Sequence, residues 1–519
     1  MEYKFKMLAG ECFFGGATIE GTKNPFDEGS EAVYDFRRSC PNQTMPLFIS
    51  TEGRYIYSEN PFKITFSKGD ITIEGENVEL VAAGATLRDA YLAAMNAHFP
   101  FDGHHLPERF FTTAQYNSWM EFTYYPTQEG VLAYAHAIVD NGFTPGILII
   151  DEGWHGRYGE WEFDFARFPD PKAMMDELHA LGFTVMLWVV PLVCADGHDF
   201  ICSILPALGG GPDSHRLYTR NYAGQVGLFF WWNGYSAILD FRKDCDREFL
   251  ASRLDRLMRD YGVDGFKFDG GSVAMYHPEN MVNGAPRTDH DPHAMNKAWN
   301  EFGRRYEYHE YKDTYAGGGI NMIQRLCDRS HKWEGGGLDT LLPCSILQGL
   351  VGHPFICPDM IGGGSWAHNV DPNFKMDEEL FVRMAEASAL MPMMQFSWAP
   401  WRVLSPEAQA MVKAAADLHL RMADEILALV RDAEVHGEPI VRSLEYNDPH
   451  QGYAHIMDEF MVGEDILVAP ILKKGQTEKD IVFPAGRWQA EDGKIYGGRA
   501  THCVPTPLGR LTWFRRVKE

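Results

Sequence analysis

The feature that most narrows what this chain can fold into is a set of short apolar runs, several ending on a carboxylate, that alternate with amphipathic helical stretches. Ile147–Asp151 (ILIID) is the first such run, followed by Thr184–Val190 (TVMLWVV), Ala237–Phe241 (AILDF) and Asp264–Asp269 (DGFKFD). Between them, Pro171–Gly182 has helical spacing closed by a glycine, and Asp246–Tyr261 predicts a helix with its charges on one face. A strand that is apolar on successive residues is buried on both sides, as happens when helices cover a parallel sheet. More than four such units between residues 109 and 430 favour a closed (β/α)8 barrel, the TIM barrel of the α/β class, over an open sheet. Such barrels collect their chemistry at the C-terminal ends of the strands, where Asp151 and Asp269 fall.

The flanks read differently. Residues 1–108 alternate apolar and polar side chains in GDITIEGENVELVAAG, with Gly and Asn as punctuation, which predicts an antiparallel β-domain. Ser405–Asp432 predicts one long helix. After it, EDILVAPIL, DIVFPAGRWQ and LTWFRR return to β character, so residues 431–519 are expected to form a C-terminal β-domain. A chain of 519 residues is too long for one core, in keeping with this division.

Bulk properties exclude several classes of function. A formal net charge of −25 repels phosphate backbones and argues against nucleic acid as a partner. No apolar run is long enough to span a bilayer, so no membrane association is expected. The opening MEYKFKMLAGECFFGG has no secretion signal, and nine scattered cysteines without CxxC spacing fit reduced thiols; the expectation is a cytoplasmic protein. Self-association is compatible with the sequence. The 13 Trp, 22 Tyr and 33 Phe exceed the needs of the core, and flat rings with a polar edge suit the faces of sugars.

Glycoside hydrolysis needs two carboxyl groups about the scissile bond and polar groups that read ring hydroxyls. Asp269 fits the nucleophile: it ends GFKFD, and Gly270–Gly271 after it permit close approach of a ligand. Lys267 lies two residues earlier on the same side of the strand, where its cation would favour the charged form of Asp269. A purely structural Lys–Asp pair is the alternative. Asp151 and Glu152, followed by Gly153 and Trp154, suit hydrogen bonding to vicinal hydroxyls, although either could serve as a second acid or cap the next segment. Trp231-Trp232-Asn233-Gly234 reads as a binding segment, whereas Trp188 and Trp119 fit either ligand contact or barrel packing. The run Asp289–His293 (DHDPH) reads as a solvated loop rather than a metal site, and the three Gly triplets match no phosphate-binding motif. No metal and no cofactor is expected.

Taken together, VDGFKFDGG, WWNGYSAILDF, GHPFICPDMIGGG, ELFVRMAEASALMPMMQFSWAPWRV, GEPIVRSLEY and DEFMVGEDILVAPIL resemble family 31 glycoside hydrolases, with likeness to a branch that joins animal and bacterial members. The resemblance covers nearly the whole chain. It implies an N-terminal β-sandwich, a (β/α)8 barrel and a C-terminal β-domain. It also implies a retaining exo-α-glycosidase acting on small glycosides through a covalent glycosyl-enzyme, and the branch implies α-galactosides ahead of α-glucosides. By the same resemblance the nucleophile falls on Asp269, the sugar-reading strand-end acid on Asp151 and a late-barrel Asp on Asp359. The Arg and Trp preceding the acid/base fall on Arg329 and Trp333, and Gln395 stands where most of the family has a His. The acid/base position itself falls on Gly336 of WEGGGLD. Glu334 and Asp339 are the two carboxylates within reach, with Glu334 the first choice; Asp359, or no acid at all, are the alternatives. The last would make the chain a carbohydrate-binding pseudoenzyme.

Overall fold

The computed structural model describes residues 1–38, 40–204 and 216–518. The chain divides into two compact units: Met1–Arg37, Gln43–Tyr116 and Ala316–Glu519 form one, Arg38–Asn42 and Asn117–Tyr315 the other.

In the second unit, four short strands pair in parallel in chain order: Ile147–Ile150, Thr184–Val189, Gly265–Phe268 and Tyr308–Tyr311. The first three strands carry only Thr184 and Lys267 as polar residues and are almost wholly buried, which is why they read as continuous apolar runs; the fourth, Tyr308–Tyr311, is nearly as buried but carries His309 and Glu310. Helix Gln128–Asp140 precedes the first strand, and helices Pro171–Ala180, Asp244–Tyr261 and Pro292–Gly303 lie between the strands. Their starts are chemically fixed. Thr127, Asp170 and Asp291 each accept a backbone N–H of the first turn, and proline occupies the first turn of the second and fourth helices. Asp291 thus gives the DHDPH run a capping role.

One expected barrel strand is something else. The AILDF segment belongs to Gly234–Ile238, which pairs antiparallel with Leu228–Trp231 and Leu192–Cys194 in a three-stranded sheet. An apolar run reports burial without reporting what buries it. Here Ile238 is covered by a cluster with Trp188, Val190, Leu192, Phe229, Trp231 and Tyr276. Trp232 and Asn233 make the two-residue connection of this hairpin, and Gly234 at φ +93° supplies the left-handed backbone it needs.

The other unit begins with two antiparallel sheets. Glu2–Lys6, Asp70–Glu74, Lys63–Ser67 and Glu31–Asp35 form one; Phe13–Ala17, Gln43–Ser50, Arg54–Tyr57 and Glu79–Ala82 form the second. Phe66 from the first sheet meets Phe13 and Phe48 from the second, with ring centroids 6.2 and 5.4 Å apart, so the sheets share an aromatic core as a β-sandwich does. Further along, Gln324–Arg325 pairs in parallel with Ile356–Cys357, and Met360–Ile361 with Gln395–Phe396. The expected single helix over 405–432 is two helices, Pro406–Arg421 and Ala423–His436, broken at Met422. No Gly or Pro marks the break, so composition could not reveal it. C-terminal strands then gather around Trp488, Phe483, Tyr496 and Phe514 in a β-domain. Among the described residues no two cysteines form a disulfide, and no helix is long and apolar enough to cross a membrane.

Phe66 also stacks on Phe26 at 4.5 Å. Phe66→Ala is therefore expected to cost about 3–5 kcal/mol in a denaturant titration, the range for emptying a buried aromatic site.

Candidate active site

Asp269 follows directly on the strand Gly265–Phe268, and its own backbone N–H still bonds to Val189 O at 2.8 Å, so the strand pairing fixes where the side chain begins. Its two carboxylate oxygens are held separately. The indole N–H of Trp188 donates to Oδ2 at 3.0 Å, and the backbone N–H of Gly270 donates to Oδ1 at 2.8 Å. Lys312 Nζ lies 3.9 Å from Oδ1. A carboxylate that accepts two N–H groups beside a cation is oriented and favoured in its charged form.

The cation is not the expected one. Lys267 Nζ reaches Asp151 Oδ2 at 2.6 Å, with both side chains buried. Lys267 lies inside the sheet, in register with Trp188 and Glu310 on the flanking strands, and its ammonium bonds to Asp151. Asp269 sits beyond the strand end, where alternation of side chains no longer applies. Lys312, just past Tyr308–Tyr311, takes the role. Sequence reasoning missed it because that strand (YHEY) carries no apolar run, although it too ends on charged residues.

Asp151 and Glu152 are neighbours with opposite settings. Asp151 has Lys267 on Oδ2, and its Oδ1 accepts the Glu152 backbone N–H at 2.8 Å. Glu152 is 4% exposed and has no cation. Its Oε1 accepts the Tyr158 hydroxyl at 2.6 Å and the Trp232 indole N–H at 3.1 Å. Burial pushes its carboxyl up to about 7; these two donors act in the opposite direction, and the negative charges of Asp151 and Asp269 add to the rise. Trp232 of the hairpin turn is thereby tied to Glu152. Tyr158, from the loop after Glu152, was not singled out in the sequence.

The tryptophans separate by exposure. Trp232 is 55% exposed and presents a ring face, with its edge against Trp231 at 4.6 Å. Trp231 is buried and bonded to Ser236 Oγ, and Trp154 is wholly buried, donating to the Trp188 carbonyl at 2.8 Å. Trp154 therefore fixes the strand that carries Trp188. Trp119 is largely buried and meets Tyr124 edge-on at 5.3 Å.

The remaining expected residues lie in the first unit. Asp359, at φ +91°, accepts the Arg325 guanidinium at 2.5 Å on Oδ1 and the Arg329 backbone N–H at 2.7 Å on Oδ2. The Arg329 guanidinium bonds to Thr340 Oγ1. Trp333 donates its indole N–H to Asp377 Oδ2 at 3.0 Å. Gln395 is buried and donates to Gln115 Oε1 at 3.0 Å. The two acid candidates differ sharply. Asp339 accepts the Gly335 N–H on Oδ2 at 2.9 Å and the Gly337 N–H on Oδ1 at 3.0 Å, so both of its oxygens hold the glycine loop. Glu334 is exposed and forms no such bonds. Gly335 and Gly336 both have left-handed φ, +74° and +94°, which the loop path requires.

The family description "Glycosyl hydrolases family 31 TIM-barrel domain" matches residues 106–429, and "Glycosyl hydrolase family 31 C-terminal domain" matches residues 437–517. The chain is 34% identical to myogenesis-regulating glycosidase of Mus musculus over 376 residues, covering 71% of this chain and 51% of that protein. It is 24% identical to alpha-glucosidase 2 of Bacillus thermoamyloliquefaciens, covering 75% and 50%. The chain thus spans about half the length of these curated relatives. Among solved structures, a cycloalternan-degrading enzyme from Trueperella pyogenes in complex with covalent intermediate superimposes with a TM-score of 0.80 at 18% identity, covering 100% of this chain and 78% of that one. That likeness shows the fold, a (β/α)8 barrel with accessory β-domains. With one family description spanning most of the chain and a second its C-terminal part, this protein belongs to glycoside hydrolase family 31.

Proposed function

We propose that this chain is a retaining, exo-acting α-glycosidase of small α-glycosides, with Asp269 as nucleophile, Glu334 as acid/base, and α-galactosides ahead of α-glucosides. The observation that carries the reading is the support of Asp269 by the Trp188 and Gly270 N–H groups beside Lys312. In the first step a carboxylate oxygen of Asp269 bonds to the anomeric carbon as the glycosidic C–O bond breaks, and the leaving oxygen takes a proton from Glu334. In the second, Glu334 takes a proton from water, whose oxygen bonds to the anomeric carbon and releases Asp269. The substrate-binding side chains in this reading are Trp119, Asp151, Glu152, Trp154, Trp188, Trp231, Trp232, Asn233, Lys267, Arg329, Trp333, Asp359 and Gln395. The domain bounds are 1–108, 109–430 and 431–519. The galactoside preference rests on motif resemblance to the animal and bacterial branch.

Glu334 is preferred over Asp339 because the latter has no oxygen left over from the loop amides. The test is hydrolysis of aryl α-glycosides of the galacto and gluco series, followed with variants. Asp269→Asn is expected to lower kcat by about 1,000-fold or more on every substrate. Glu334→Gln should lose little on a dinitrophenyl leaving group but about 100-fold on an alkyl one, with azide restoring the second step. A wild type that binds sugars and cleaves none of the panel would instead identify a carbohydrate-binding pseudoenzyme.

Asp339→Ala has a different expected signature. Loss of both loop-amide bonds should cost about 1–2 kcal/mol in thermal unfolding and speed amide exchange at Gly335 and Gly337, whatever the leaving group.

A further inference from the structure

The Glu152 carboxyl is a buried group with one half fixed and one half open. Oε1 takes both neighbouring donors, the Tyr158 hydroxyl and the Trp232 indole N–H. Oε2 has no protein partner, yet it is not among the sealed polar atoms, so it retains a path to solvent or ligand. Every charge nearby is already assigned. Lys267 serves Asp151, Lys312 serves Asp269, and Tyr124 and Tyr158 are neutral phenols beside the carboxyl. A buried carboxyl without a cation, set between two carboxylates that each have one, is most stable with its proton on. Two donors on Oε1 leave Oε2 as the place for that proton.

We propose that Glu152 is a specificity-determining residue that reads a substrate hydroxyl as a neutral hydrogen-bond donor through Oε2, oriented by Tyr158 and by Trp232 at the hairpin tip. The inference rests on the glycosidase reading and names part of its recognition. Asp151 and Asp269 only accept when ionised, so among these three carboxyl groups Glu152 alone gives to a hydroxyl oxygen. Two neighbouring hydroxyls, one donating to Asp151 and one accepting from Glu152, would find both partners at adjacent positions of one strand end. The hairpin turn reaches the same carboxyl through the Trp232 indole N–H, so the WWNG segment acts on recognition by holding Glu152 as well as by offering the exposed Trp232 ring.

Glu152→Gln is the informative variant, because its carbonyl can accept from Tyr158 and Trp232 while its amide N–H takes the place of the Oε2 proton. Glu152→Ala is expected to lower kcat/KM on the preferred aryl α-glycoside by about tenfold or more, and Glu152→Gln by clearly less than the Ala variant. Wild-type kcat/KM should fall as pH rises through about 7, and the Gln variant should lack that step. Its gain in stability over wild type should also be larger at about pH 8 than at about pH 5, since only the wild type must ionise a buried acid. Infrared spectra need no substrate: burial also raises Glu459 and Asp359, so the test is the wild-type-minus-Glu152→Gln difference at about pH 6, which should contain a protonated carboxyl band. Absence of that band, or a Gln variant as impaired as the Ala variant, would overturn the proposal. A wild type that shows the band but cleaves no glycoside would count against the glycosidase reading alone.

Discussion

Two N–H groups on one carboxylate organise what is known of this molecule. The indole of Trp188 and the backbone of Gly270 take the two oxygens of Asp269. Each donor is itself fixed by the fold. Trp188 is an inward residue of Thr184–Val189, its carbonyl taken by the Trp154 indole, and Gly270 adopts a left-handed φ of +63° immediately after the strand. Parallel pairing of Thr184–Val189 with Gly265–Phe268 therefore does more than build a sheet. It delivers a donor from one strand to the acid at the end of the next.

The same strand ends show how environment separates like groups. Asp151 and Glu152 are adjacent, yet one is paired with a buried lysine and the other with a phenol and an indole. A cation favours the charged form, and neutral donors in a desolvated setting leave the acid near neutrality, so two carboxyls at one strand end can accept and donate respectively. This division of roles lies apart from the WEGGGLD loop in the sequence. The loop itself is explained by Asp339, whose two oxygens replace missing amide partners of a path made left-handed by Gly335 and Gly336.

Much of the fold was legible because double-sided burial writes itself as apolar runs. ILIID, TVMLWVV and DGFKFD are parallel strands, and the glycosidase family membership is carried by motifs around them. AILDF failed for the same reason that the others succeeded: its apolar residues are buried by a local cluster, and a run of four or five residues does not encode its partner. At the site, Asp269, Asp151, Glu152 and Trp188 were readable as strand-end or inward residues. Lys312 was not, because its strand is polar, and Tyr158 was not, because it comes from an irregular loop. The pairing of Lys267 was misread because alternation along a strand predicts a side, not which of two acids at the rim is nearer.

The central claim is that the oriented carboxylate of Asp269 bonds to sugar. Incubation with a 2-deoxy-2-fluoro-α-glycosyl donor carrying an activated leaving group, followed by peptic digestion and mass spectrometry, tests it most directly. The account predicts a fluoroglycosyl adduct on the peptide containing Asp269 and no adduct in Asp269→Asn. A label on another carboxylate, or turnover of the parent glycoside that survives Asp269→Asn unchanged, would contradict it.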